Sequence, residues 1–122
     1  MASKPLQEPA FLVLSALAAG PLHGYGIAQD VESSSDGRVT LRAGTLYGAI
    51  DRLVAAGLVE VDHEDVVDSR LRGYYLHARG GGARLAAEAE RAAARGRRAL
   101  ARLGARRRTA GPAGAGTAPR PA

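Results

Sequence analysis

Cysteine and tryptophan are absent from this chain of 122 residues, and phenylalanine occurs once, as Phe11. Without cysteine there can be no disulfides, thiolate metal sites or thiol catalysis, which fits a reducing cytosol. The longest predominantly apolar run, from Phe11 to Ala19, is too short to span a bilayer. Glu8 precedes that run and Gly20-Pro21 ends it, which is atypical of a signal peptide. We therefore expect a cytoplasmic protein that makes no membrane contact.

Groups of residues that would indicate catalysis are lacking as well. The sequence contains no recognisable nucleophile–base pair, and Gly80-Gly81-Gly82 has neither the preceding strand nor the lysine of a phosphate-binding loop. His63, Glu64 and Asp65 are consecutive, so a strand would direct them to different sides and they could not share a metal ion. We therefore expect no enzyme, no cofactor and no metal site.

Positive charge is concentrated in the second half of the chain. Through Val66 there are four basic and nine acidic residues, a net charge of −5, whereas the rest has thirteen arginines and three acids, a net charge of +10. Most of the excess falls on one predicted helix and its tail. Composition leaves two interpretations open: a segment that binds a polyanion, or a solvated helix face followed by a basic tail.

The hydrophobic spacing predicts three helices followed by a hairpin. The predicted helices cover residues 8–19, 23–33 and 43–56, and Gly57 is expected to end the third helix. Residues 39–41 alternate and could form a minor strand. Residues 58–63 and 73–76 read as two strands around a polar stretch, residues 64–72. This order predicts a mainly α fold with a small β wing, the plan of a winged helix-turn-helix domain.

A long helix that ends near Arg108 is predicted after Gly80-Gly81-Gly82, within a dimerisation segment 79–108. Its apolar and small residues recur at spacings of three and four and form a seam that favours helix pairing. The predicted seam residues are Leu85, Ala89, Ala92, Gly96, Leu100 and Leu103. The predicted organisation is a flexible segment 1–7, a winged helix-turn-helix domain 8–78, a dimerisation helix 79–108 and a disordered tail 109–122.

Four short motifs follow one another along the chain: GPLHGYGI at residues 20–27, LRAGTLY at 41–47, IDRL at 50–53 and GLV at 57–59. In their order and spacing they resemble the signatures of the PadR family of transcriptional regulators. The resemblance covers residues 8–77 closely and the terminal helix loosely. It implies a repressor that binds double-stranded operator DNA as a homodimer and is released by a small-molecule effector. It also implies that the seam packs against Phe11, Leu14 and Leu17 of the partner.

The third predicted helix has the pattern of a DNA-reading helix. Leu46, Ile50 and Leu53 would be buried, which leaves short or hydrogen-bonding side chains and one arginine on the opposite face, as a major-groove helix requires. The family wing and the anion-binding start of the second helix add three further candidates. The predicted DNA-contacting residues are Tyr25, Arg42, Thr45, Tyr47, Gly48, Arg52, Arg70 and Arg72.

Two of these assignments keep alternatives. Tyr25 is interpreted either as supporting a DNA backbone contact, as the resemblance implies, or as packing against the first helix. Arg70 and Arg72 are interpreted either as wing contacts or as part of a solvated turn. A second hypothesis for the whole protein is an interaction module whose basic C-terminal helix docks on an acidic partner.

The segment from Leu76 to Gly82 departs from the family pattern. In one alignment His77 takes the position of a buried leucine, and in the other it replaces a threonine that caps the last helix. A lost cap and three glycines both disfavour helix formation. We therefore expect a loose junction and a late start of the last helix.

Overall fold

The computed structural model describes residues 4–115, with side chains through Thr109. The chain divides into two compact units, one ending at Glu88 and the other beginning at Ala89. The elements are α1 (Glu8–Ala16), a short 3-10 turn (Leu17–Ala19), β1 (Leu22–His23), α2 (Gly24–Ser34), α3 (Ala43–Ala55), β2 (Val59–Val67), β3 (Arg70–His77) and α4 (Gly81–Ala115). This is a mostly helical fold with a small antiparallel sheet and a long C-terminal helix, as the sequence predicts.

The helices end where the sequence provides glycine. Gly20 has a φ of 143° and Gly57 a φ of 76°, conformations that side-chain-bearing residues rarely adopt. Gly20 closes the 3-10 turn after α1, and Gly57 follows α3 and leads into β2. The predicted helix-ending role of Gly57 is confirmed.

One hydrophobic core joins the first three helices to the start of β2. Its members are the apolar residues on the inward faces of those elements, each at most 6% exposed: Ala10, Val13, Leu14, Ala16, Leu17, Ile27, Val31, Leu46, Ala49, Ile50, Leu53 and Val59. The helical spacing of three and four therefore predicted the burial of Leu46, Ile50 and Leu53 on α3 correctly.

Two of these core residues correct the predicted dimer surface. Leu14 is fully buried and Leu17 is 2% exposed within a single chain. Their side chains contact the chain's own core, so they are not available to a partner's helix. Phe11, the third predicted residue of that group, is half-buried.

The sheet contains three strands in the order β1-β3-β2, all antiparallel. The β2–β3 hairpin is the predicted wing, but its strands continue through most of the polar stretch, to Val67 and from Arg70. Asp68 and Ser69 form the turn, both with positive φ, which matches the right-handed twist of a two-residue hairpin loop. The sequence predicted that residues 64–72 would form the turn. Most of them instead extend the two strands, because the hydrogen bonds of a ladder join backbone groups and do not require apolar side chains.

The predicted minor strand at residues 39–41 is not formed. The Ser35 hydroxyl accepts a hydrogen bond from the Val39 amide at 2.9 Å, which satisfies a donor that a ladder would otherwise use. The third strand is Leu22–His23, paired with Tyr75 and Tyr74 of β3.

The junction between the wing and α4 is tight, which corrects the expected looseness and late helix start. Helix α4 begins at Gly81, whose amide donates to the Ala78 carbonyl at 2.9 Å. Gly81 is buried, and a Cβ there would collide with the Leu58 carbonyl and lie 3.1 Å from the His77 Cβ. The glycine is therefore required by packing.

His77 connects this junction to α1. Its Nε2 lies 2.7 Å from the Leu14 carbonyl oxygen, in the last turn of α1, where carbonyls lack intrahelical donors. Since a carbonyl can only accept, Nε2 carries the proton. His77 thus takes an interior position between the helices instead of capping α4.

The chain ends of the described region also differ from the prediction. The Leu6 amide donates to Glu88 Oε2 at 3.3 Å, Arg84 Nε lies 3.0 Å from the same oxygen, and Arg84 also bonds the Lys4 carbonyl. Residues 4–7 are thus held by α4, because the buried Glu88 carboxylate needs these donors. Helix α4 continues to Ala115, past its expected end at Arg108. The rest of the predicted flexible start and disordered tail, residues 1–3 and 116–122, lies outside the described residues.

Within residues 4–115, no helix combines the length and the apolar character that crossing a membrane requires.

Candidate nucleic-acid interface

Helix α3 separates a buried face from an exposed one, as the sequence predicts. Thr45, Tyr47 and Arg52 are exposed, and Gly48 is half-buried between them. A Cβ at Gly48 would lie 3.6 Å from Arg52 Nη1, so the guanidinium group extends back over the preceding turn. On this face the small residues Thr45 and Gly48 leave the helix backbone accessible, and the Arg52 guanidinium group lies beside them.

Arg42 occupies the N-cap position of α3. Its backbone is extended, with φ −75° and ψ 157°, and its side chain makes no capping hydrogen bond. The exposed guanidinium group lies at the end of α3 where amide groups lack helical acceptors. Arg42 and this helix start together form a positive edge.

The start of α2 is organised by His23. Its Nδ1 accepts a hydrogen bond from the Gly26 amide at 3.0 Å, so His23 is the N-cap of α2. Burial, and secondly the positive charge of Arg72, lower the pKa of His23 below its ordinary value of 6.5. Both effects favour the neutral ring, and the neutral ring is the form that can accept the Gly26 hydrogen bond.

Tyr25 projects outward beside this histidine. Its side chain is 65% exposed, and its ring is parallel to the His23 ring at 6.4 Å between centroids. The hydroxyl group is accessible to a bound anion. This placement favours the interpretation of Tyr25 as a surface contact over the alternative of a tyrosine packed against α1.

Tyr47 crosses from α3 to α2 and rests on Gly24. A Cβ at Gly24 would collide with the Tyr47 hydroxyl and lie 2.8 Å from Cζ, so the close approach depends on glycine. Burial raises the pKa of Tyr75, and Tyr47, Asp51 and Glu64 raise it further. The raised pKa keeps the Tyr75 hydroxyl protonated at neutral pH, so this hydroxyl can donate a hydrogen bond.

These side chains line an open cleft of about 730 Å³ between the start of α2, α3 and the wing. The lining residues are His23, Gly24, Tyr25, Tyr47, Val67, Asp68, Arg70, Leu71, Arg72, Gly73 and Tyr75. The cleft thus combines tyrosine hydroxyls with two arginines.

The structure brings four of the eight predicted DNA-contacting residues into this cleft: Tyr25, Tyr47, Arg70 and Arg72. The other four, Arg42, Thr45, Gly48 and Arg52, lie on α3 or at its start, outside the lining. Sequence reasoning missed Gly24 and Tyr75 as site residues. The available signal for Gly24 was its position, a glycine directly before Tyr25.

The wing carries its acidic residues mainly on the edge strand β2. His63 Nδ1 lies 2.5 Å from Asp62 Oδ2, and the His63 ring stacks on Tyr74 at 4.4 Å between centroids. Asp65 pairs across the ladder with Arg72. Part of the acidic charge is thus placed opposite an arginine, which reduces its repulsion of a nearby phosphate.

Comparison with known proteins agrees with this geometry. The model of the Transcriptional regulator PadR-like family matches residues 13–87, from α1 into the first turns of α4. A PadR family transcriptional regulator from Eggerthella lenta is 30% identical, with 77% of this chain and 79% of that one covered and a TM-score of 0.60. Bacillus subtilis PadR in complex with operator DNA has the same fold at 16% identity, with 65% of this chain and 45% of that one covered and a TM-score of 0.58.

A further match covers a shorter part of the chain. An uncharacterised transposon protein of Streptomyces fradiae is 56% identical over 48 residues, which is 39% of this chain and 13% of that protein. The present chain therefore matches only a small part of that relative's length. The family match spans more than half of the chain and includes both α3 and the wing. The chain belongs to the PadR-like family of transcriptional regulators, a family of DNA-binding winged-helix proteins.

Proposed function

We propose that this protein binds operator DNA in a sequence-specific manner as a homodimer and represses transcription. The observation that carries the proposal is the exposed face of α3, which lies beside a cleft that combines tyrosine hydroxyls and arginines. The relative from Bacillus subtilis whose structure includes operator DNA supports DNA as the partner.

In this proposal α3 reads the major groove. Thr45 supplies a hydroxyl group and a methyl group, which suit base edges and the thymine methyl respectively. Gly44 and Gly48 keep the helix surface low, so the backbone can approach the bases. Arg52 binds either a guanine edge or a phosphate, because a guanidinium group fits both. Arg42 binds phosphate at the start of the helix.

The cleft holds the DNA backbone beside that groove. Helix α2 directs its N-terminal partial positive charge toward the cleft, which favours an anion there. The exposed Tyr25 hydroxyl and Arg70 are placed to donate hydrogen bonds to phosphate oxygens. Arg72, half-buried next to His23, contributes positive charge at the inner end.

The homodimer forms through the seam of α4. Leu100 is 69% exposed and Leu103 is 46% exposed, and a second copy that covers them would remove this apolar surface from water. Ala89, Ala92 and Gly96 are also exposed and small enough for a close helix approach. The half-buried Phe11 is the part of the predicted α1 contact that stays accessible.

Two-fold symmetry in the protein implies two half-sites about one helical turn apart, or a multiple of that distance. Release by a small-molecule effector stays a prediction that rests on the family resemblance alone.

The test is a gel-shift titration of the purified chain on DNA from the region upstream of its own gene. Scrambled DNA serves as competitor, and the titration is repeated at several salt concentrations, since released counterions make phosphate binding salt-dependent. We expect a shift that survives the competitor, with two chains per site. A shift that the competitor abolishes at every salt concentration would exclude operator recognition.

A further inference from the structure

Helix α4 carries a row of arginines that the proposed operator contacts do not use. Arg95, Arg98, Arg102 and Arg106 are separated by three, four and four residues. At 3.6 residues per turn these positions fall within about 80° of one another around the helix. All four side chains are exposed. We call them the arginine row.

The charge of the arginine row is not balanced along the chain. No aspartate or glutamate occurs from Arg91 to the end of the sequence, whereas nine arginines do. The first turns of α4 are different, because there Arg84 pairs with Glu88. In the part of the chain that the structure describes, the salt bridges include no member of the row.

Helix stability does not account for this arrangement. Like charges three or four residues apart on a helix repel each other. Cations stabilise the last turn of a helix through its macrodipole, but Arg106 lies nine residues before Ala115, more than two turns from the end of α4. An anionic partner would turn the repulsion within the row into attraction.

The row and the dimer seam occupy different sides of α4. Leu100 and Leu103 lie about 100° or more around the helix from the centre of the row. A second copy that covers the seam would therefore leave the arginine row accessible. Leu100, Leu103 and the arginine row belong to the same unit, so this relation depends only on the helix itself.

The chemistry of the row fits the backbone of duplex DNA. From Arg95 to Arg106 the helix rises about 16 Å, a length over which a duplex carries roughly ten phosphate charges. Guanidinium groups bind phosphate oxygens in a bidentate manner, and a straight helix presents them in one line. An acidic protein surface rarely offers such a dense and regular series of anions.

We propose that Arg95, Arg98, Arg102 and Arg106 form a second DNA-binding surface, which binds backbone phosphates of duplex DNA without sequence preference. It acts in addition to α3 and the cleft, and it does not depend on operator recognition. Its effect is to raise the affinity of the protein for any duplex and to make that affinity more sensitive to salt.

The experiment measures binding of the full chain to a duplex of scrambled sequence between about 50 and 200 mM salt. The row variant replaces Arg95, Arg98 and Arg102 by glutamine, which keeps helix propensity high. The matched control replaces Arg97, Arg107 and Arg108 by glutamine. It removes the same charge from exposed positions on other sides of the same helix. Circular dichroism and sedimentation verify that both variants keep their helix content and oligomeric state.

The slope of log K against log salt is negative, and we expect its magnitude to decrease by about 0.9 for each lost phosphate contact. For the row variant the decrease is therefore up to about 2.7 per chain. The control should change the slope by less than one. A variant with lysine at the three row positions should restore most of the slope, because the charge is retained.

Equal slopes for the row variant and the control would overturn the proposal, since only total charge would then matter. Unchanged binding of scrambled DNA by the row variant would also overturn it, and would direct attention to an acidic protein as the partner of the row. Operator preference is measured separately, as the affinity ratio between operator and scrambled DNA. A failure of the repressor proposal is therefore distinguishable from a failure of this one.

Discussion

His77 donates a hydrogen bond from Nε2 to the Leu14 carbonyl oxygen at 2.7 Å, and so ties the end of the wing to the last turn of α1. Replacement of His77 by leucine would leave that half-buried carbonyl without its donor. We expect the free energy of unfolding to fall by about 1–3 kcal/mol, measured by urea denaturation. Gln29→Leu is the control, because Gln29 is exposed on α2 and its replacement should change stability by about 0.5 kcal/mol or less. Equal effects of the two substitutions would contradict a structural role for the His77 hydrogen bond.

Two neighbouring glycines at the start of α4 should respond in opposite directions to alanine. At Gly81 the new methyl group meets the Leu58 carbonyl and His77, so we expect a loss of about 1–3 kcal/mol from overpacking. At Gly82 the nearest atom would be 3.8 Å away, in ordinary contact. Gly82→Ala should therefore gain up to about 1 kcal/mol from helix propensity. Thermal denaturation of both variants decides the point, and a stabilising Gly81→Ala would refute the close packing.

The hydrogen bond between His23 and Gly26 should make stability depend on pH. The pKa of His23 is lower in the folded chain than its ordinary value of 6.5, so the unfolded chain takes up the proton more readily. The stabilisation is fully present above 6.5 and is lost as the pH falls through the folded-state pKa. His23→Asn keeps an N-cap that does not titrate. We expect the variant's stability to fall less than the wild type's as the pH is lowered from neutral, as measured by chemical denaturation. If the stabilities of the variant and the wild type changed equally with pH, His23 would not be the source of the pH dependence.

Arg52 should contribute directly to operator affinity. In the proposed complex Arg52→Ala removes a contact to a base edge or a phosphate, so we expect a loss of about 1–3 kcal/mol in binding free energy. Arg79→Ala is the control, since Arg79 is exposed after β3 and outside both α3 and the cleft. Fluorescence anisotropy with operator and scrambled duplexes separates the two roles. A base contact lowers the ratio of the two affinities, whereas a phosphate contact lowers both equally. Unchanged affinity for both duplexes would exclude Arg52 from the interface.

Leu103 tests the proposed dimer seam. An aspartate at this position would place a charge in an apolar interface, so Leu103→Asp should raise the dimer dissociation constant at least about tenfold. Ala101→Asp adds the same charge on almost the opposite side of α4 and should leave association unchanged. Sedimentation equilibrium measures both. Equal association of the two variants would place the interface elsewhere.

Local periodicity predicted those parts of the fold that local contacts determine. The buried faces of α2 and α3 follow from apolar residues three and four positions apart, and Gly57 ends α3 as expected. The exposed face of α3 follows from the same pattern, because a helix that buries Leu46, Ile50 and Leu53 must expose Thr45 and Arg52.

Contacts between distant segments explain what the sequence did not reveal. The two-residue strand β1 is formed only by pairing with Tyr74 and Tyr75, more than fifty residues later, so no local pattern marks it. Gly81 reads as a helix-weakening residue until the Leu58 carbonyl is known to lie against it. Gly24 and Tyr75 join the candidate site for the same reason, since Tyr47 packs on Gly24 and lines one cleft with Tyr75.

The irregularity in β2 has a consequence for how this wing can vary. Val61 lies opposite Tyr75 and His63 opposite Tyr74, so Asp62 is an extra residue that shifts the alternation of every side chain beyond it. Deletion of Asp62 would remove the bulge and keep these cross-strand pairs, so the outer half of β2 would keep its faces relative to β3. Insertions near Asp68 are constrained by the alternation of side chains along each strand. One added residue on each strand reverses which side chains of the tip face the cleft, and two on each strand restore the original orientation. The wing of a functional relative can therefore change its reach only in discrete steps.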